Sequence, residues 1–234
     1  MLTRTTDDGK HMIDFSLQGV PVMNKFVPRE EVMQKLRQLF KSKPKETSQR
    51  RVVGVVHGLG GIGKTQLAVE FAREHQRNFS ATFWLDGSSE TNLQQSFVRL
   101  FQRLPQGELT AEGVRIRTQS VVDADVVIRE CHRWLSLSSN HNWLLVIDNV
   151  DRDHHKKEDP QSYNVKEYFP PADHGSILIT SRLANLQRLG TGVKVGTVAA
   201  EQARAILENN AGRDIESKST VAYINSVQLL TNVK

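Results

Sequence analysis

The sequence predicts an α/β fold, a three-layer α/β/α arrangement with a mostly parallel five-stranded sheet. Three observations carry this. Short β-branched runs alternate with amphipathic helical stretches along the chain. The runs are apolar at nearly every position, as in strands buried on both faces. The first run leads into a glycine-rich turn that opens a helix.

The elements follow in order. Residues 30–40, EEVMQKLRQLF, set Val32, Leu36, Leu39 and Phe40 at helical spacing. Residues 52–57, VVGVVH, form the first strand. Residues 64–77 place Leu67, Ala68, Phe71 and Ala72 on one helical face. Residues 81–85, ATFWL, read as the second strand, and 90–104 carry the stripe Leu93, Phe97, Leu100, Phe101 and Leu104. Pro105, Gly107 and Gly113 make 105–120 a loop or a poor helix. Residues 124–137 read as a helix with Val127, Ile128, Cys131, Trp134 and Leu135 inward. WLLVID at 143–148, SILIT at 176–180 and VKVGTV at 193–198 complete the strands, and 200–210 read as helical. Cys131 and the large apolar residues are assigned to the core.

Composition narrows the class. The chain has 234 residues, 38% of them apolar and 24% charged, which suits a packed core and not a disordered polymer. No apolar run approaches the ~20 residues that span a bilayer. The stretch MLTRTTDDGKHMIDF has no apolar signal region, and the single Cys131 allows neither an internal disulfide nor a zinc ribbon. A cytoplasmic, reducing environment is the expectation. The net charge is +5, and segment 41–51, KSKPKETSQRR, holds five basic residues against Glu46. That segment reads as a solvated linker, the alternative being a patch that steers phosphates or nucleic acid. No aromatic residue is interleaved to stack bases, which argues against a nucleic-acid partner.

Chemistry concentrates at Gly58-Leu59-Gly60-Gly61-Ile62-Gly63-Lys64-Thr65, a full match to G-x-x-x-x-G-K-[ST] between a strand and a helix. Gly58, Gly60, Gly61 and Gly63 let the backbone wrap phosphates with N–H groups pointing inward. The helix that starts at Lys64, with Thr65 and Gln66 behind it, adds its positive end. Lys64 reaches the β- and γ-phosphates, and the Thr65 hydroxyl is a Mg²⁺ ligand. The metal also needs a carboxylate at a neighbouring strand end, and Asp148 supplies it at the close of LLVID. A surface turn is the bland alternative for Asp148, and a turn or helix cap for Asp151.

Hydrolysis needs a group that orients or activates water. The residue after the strand-end acid is Asn149, which takes no proton, so rapid turnover is not expected. Asp151 is the remaining acid for that role. Arg182, after the strand end Thr180-Ser181, faces the same sheet edge and is a candidate γ-phosphate sensor, or else a solvated helix-start arginine. A guanine-reading N-K-x-D segment is missing, since Asn24-Lys25-Phe26-Val27 lacks the acid and precedes the loop. ATP or ADP with Mg²⁺ is therefore expected.

GLGGIGKTQ, FWLDGSS at 83–89, WLLVIDNVD and GSILITSR together resemble the nucleotide-binding domain of NB-ARC proteins, within the STAND class of P-loop NTPases. The D-N-x-D form and the ILITSR strand look most like fungal NLR-like proteins. FVPREEVMQKL at 26–36 is similar to the family's F-V-G-R-E box, with Pro28 where glycine is usual. The resemblance implies a sheet order 2-3-4-1-5. It also implies adenine contacts from Phe26, Val27 and Arg29, and a switch that rests with ADP, opens on exchange to ATP and forms a homo-oligomer. Slow hydrolysis suits such a switch. The competing reading is a conventional AAA-like ATPase, and a weaker one a nucleic-acid-binding protein.

Relatives continue into a helical domain with a G-L-P-L box and a winged helix whose histidine meets the nucleotide. The last proline here is Pro171 and the last histidine His174, so neither element is expected after Arg182. The expected organisation is a tail at 1–25, the nucleotide-binding domain at 26–210, and the incomplete start of a helical domain at 211–234.

Overall fold

A computed structural model describes residues 11–16, 20, 29–41, 50–119, 123–152, 159 and 161–197. Five strands, β1 (Val52–His57), β2 (Ala81–Asp86), β3 (Trp143–Asp148), β4 (Ser176–Ser181) and β5 (Thr191–Lys194), form one sheet. Their order is β2-β3-β4-β1-β5 and every pairing is parallel. The sheet thus has the order expected of a P-loop NTPase, and it is parallel throughout rather than mostly so.

Alternation along each strand explains the apolar runs. Val56, Leu144, Val146 and Leu178 face α1 (Glu30–Leu39) and α2 (Lys64–Glu74), among Leu36, Leu67, Ala68 and Phe71. Val55, Leu145, Ile147, Ile177 and Ile179 face the other way, onto α3 (Glu90–Arg103), α4 (Ala111–Arg117) and α5 (Ala124–Leu135). Successive side chains point to opposite faces, so a strand covered on both sides must be apolar at both phases. All six residues of β3 are buried, including its terminal carboxylate.

One element settles an alternative the sequence left open, and another departs from expectation. The stretch after Pro105 forms a 3₁₀ turn at Gln106–Glu108 and then the helix α4. Its cap is tertiary as well as local. The Thr110 hydroxyl accepts from Gly113 N, while Glu130 of α5 accepts from Thr110 N at 2.9 Å and from Thr110 Oγ1 at 3.0 Å. A carboxylate on a distant helix thereby starts a helix that local propensity disfavours. The last strand is Thr191–Lys194, two residues earlier than its apolar pattern suggests and shorter. Its partner sets the limit: β1 ends at His57, whose carbonyl accepts from Val195 N, and then turns away at Gly58. Phe26, Val27, most of the basic linker, the 200–210 helix and the tail lie outside the described residues.

Register brings the site together. His57 pairs with Ser181, and Asp86 with Asp148, so the ends of these strands share one sheet edge. In a parallel sheet that edge is where ligands bind.

Candidate nucleotide-binding site

The loop leaves β1 at Gly58, whose N–H donates to Ser181 O of β4 at 3.2 Å. A Cβ on Gly58 would stand 2.5 Å from Val195 O, so only glycine fits there. Gly63 is the N-cap of α2 with φ 91°, a left-handed conformation that glycine adopts without penalty. The first turn of α2 has no acidic residue. Its free N–H groups and positive end therefore have no anion of their own and suit an external one.

Lys64 lies beneath this arch, 8% exposed. Its ammonium donates to Gly58 O at 2.9 Å and Leu59 O at 2.8 Å. Burial lowers its pKa below the ordinary lysine value, with Asp151 acting in the opposite direction. A bound phosphate would supply the missing counter-charge.

Asp148 sits beside it at the end of β3 and is 4% exposed. The Thr65 hydroxyl donates to Oδ1 at 2.9 Å, and Thr180 Oγ1 donates to the same oxygen. Burial raises the Asp148 pKa; the two threonine hydroxyls lower it and nearby Asp86 raises it. A hydroxyl and a carboxylate in contact are the oxygen donors that suit Mg²⁺, a hard ion that takes few protein ligands beside phosphate oxygens. The pair therefore fits that ion.

The next residue, Asn149, has φ 63°, and its N–H donates to Thr180 Oγ1 at 3.0 Å. Asparagine tolerates this left-handed geometry better than most residues. Asp151 is bound by Arg182, which donates to it from its backbone N and from Nε, both at 2.6 Å. Arg182 is otherwise open, its side chain 61% exposed, and its Cδ lies 3.5 Å from where a Cβ on Gly60 would be. The guanidinium thus borders the loop while its charge is shared with Asp151.

Gly60, Gly61, Gly63, Lys64, Thr65 and Gln66 line a cleft of about 770 Å³ together with Asn149, Asp151 and Arg182. Sequence places these residues together, and so does the structure. Ser88, Arg152 and Asp159, which sequence does not single out, also line the cleft. Arg152 donates to Ser88 O at 3.3 Å and to Asp159 Oδ2 at 3.2 Å. Arg29, expected at the base, has its guanidinium on Ile62 O and Gly196 O, both at 2.7 Å. In sequence Thr180 reads only as part of a strand end. Its one signal is a hydroxyl at the inner end of an apolar strand beside the acid.

Residues 25–190, more than half of the chain, match the family model of the AAA ATPase domain. The chain belongs to that family. This AAA-type P-loop ATPase domain is also similar to curated and solved proteins. It is 24% identical over 184 residues to a nucleotide-binding leucine-rich repeat (NLR)-like protein of Hyaloscypha variabilis, covering 75% of this chain and 17% of that one. Its fold is like that of Cdc6p from Pyrobaculum aerophilum, with TM-score 0.53, 13% identity, and 84% of this chain against 52% of the other. A STAND protein (signal transduction ATPase with numerous domains) with a tetratricopeptide repeat sensor, from Pyrococcus horikoshii, gives TM-score 0.49 and 16% identity, over 92% and 29% of the chains. The AAA domain thus spans about a sixth of the length of the NLR-like protein.

Proposed function

We propose that the chain is the ATP- and ADP-binding module of an NLR-like signalling switch of the NB-ARC type, acting in the cytoplasm. Lys64 and the loop N–H groups hold the phosphates, and Thr65 and Asp148 hold Mg²⁺. Arg182 meets the γ-phosphate through its exposed Nη groups while its Nε and backbone N stay on Asp151, and Phe26 and Val27 are the base contacts that the likeness to the F-V-G-R-E box implies. Exchange of ADP for ATP favours an open state that forms a homo-oligomer, a population shift driven by contacts that differ between two states. Nucleic acid is not the partner in this reading.

The observation that carries it is the residue pair beside the metal site. Asn149 offers an amide where a turnover enzyme needs a base, and both oxygens of Asp151 accept from Arg182. A site that binds the triphosphate without an available base suits a slow switch better than a motor. The likeness to an NLR-like protein supports the same reading.

Two measurements test this proposal. Phosphate release should fall far below the ~10 per second of a median enzyme. Sedimentation should show a larger species with a slowly hydrolysed ATP analogue than with ADP. Ordinary turnover, or identical sedimentation with both nucleotides, contradicts the switch.

A further inference from the structure

Arg29 begins α1, where its carbonyl accepts from Val32 N and Met33 N, both at 3.0 Å. Its side chain makes no cap bond to that helix. It reaches instead to two other segments: Nη2 donates to Ile62 O in the phosphate loop, and Nη1 to Gly196 O beyond β5, each at 2.7 Å. The stretch beyond β5 also meets the loop's opposite end. Val195 N donates to His57 O at 2.8 Å, and Val195 O packs where a Cβ on Gly58 would stand.

Peptide planarity gives these contacts a consequence. The Ile62 carbonyl and the Gly63 N–H belong to one rigid unit and point in opposite directions. A guanidinium that pins the carbonyl therefore directs the Gly63 N–H away from itself. Gly63 lines the cleft and caps α2. The same arginine links this peptide to residue 196, on the chain that leaves β5. We infer that Arg29 is a positioning residue for the phosphate loop: it fixes the Ile62–Gly63 peptide for anion binding and ties the loop to the segment after β5, so that the two loosen or tighten together. The role rests on the nucleotide-binding reading, and it is distinct from a contact with the base.

The test uses the whole chain as wild type, Arg29→Ala and Arg29→Lys. Without nucleotide, hydrogen–deuterium exchange should quicken in Arg29→Ala at residues 57–63 and 195–197 together, with the core strands unchanged. Isothermal calorimetry with Mg²⁺ should show about tenfold weaker binding of both ADP and inorganic pyrophosphate, because a charged donor to a carbonyl is lost. Arg29→Lys, with one ammonium for two carbonyls, should fall between. Unchanged exchange in either segment overturns the clasp. Weaker ADP with unaltered pyrophosphate overturns it in favour of a base contact. If the wild type binds no nucleotide, the functional reading fails, and the exchange data still decide whether the clasp exists.

Discussion

Asp148 holds the sharpest conflict between folding and function. A carboxylate at 4% exposure is costly, and two threonine hydroxyls only partly offset that cost. Burial raises its pKa above the ordinary 3.8. Between the ordinary and the raised value the folded chain therefore binds a proton that the unfolded chain releases, and stability from this group is full below that window and lost as pH rises through it. Asp148→Asn keeps an acceptor for the hydroxyls and removes the buried charge. Near pH 7.5 without nucleotide, its melting temperature should equal or exceed that of the wild type, the gap closing on acidification. Its ATP affinity should no longer rise on adding Mg²⁺. A variant that melts lower and falls further behind in acid contradicts the assignment. The loop and Asp148 are legible in sequence because each residue type there answers a chemical need. The contacts of Thr180 and Arg29 are not, because their partners arrive through strand register and chain crossing.

Strands and helices were predictable where burial is set by their own periodicity. β3 is legible because WLLVID is buried on both faces, and α3 because its stripe faces α5. α4 is legible only as one of two alternatives, since its start depends on Glu130 from another helix, and the limits of β5 depend on where β1 stops. The α3–α5 layer should therefore carry stability without touching the site. Phe97 is fully buried there, 5.6 Å from the His132 ring and 6.0 Å from that of Tyr168. Phe97→Ala should cost about 3–5 kcal/mol of unfolding free energy in urea titration. Nucleotide affinity of the folded fraction should stay as in the wild type, because the loop is held by β1, β4 and α2. A large affinity loss at full folding would show that the two layers are coupled.

Over the whole molecule, the excess positive charge gathers in the linker at 41–51, whereas Lys64 and Arg182 stand singly at the cleft. Among the described residues no helix is long and apolar enough to cross a membrane. The parallel sheet brings the start of α2, the Lys64 ammonium and the Asp151 carboxylate to one cleft. The central claim is that this cleft binds nucleotide through Lys64. Calorimetry of wild type and Lys64→Ala with Mg²⁺–ATP and ADP tests it most directly, with far-ultraviolet circular dichroism to confirm folding. Wild type should bind both nucleotides, and the variant neither, at equal helix content. Equal affinity in the two proteins would contradict the assignment of the site.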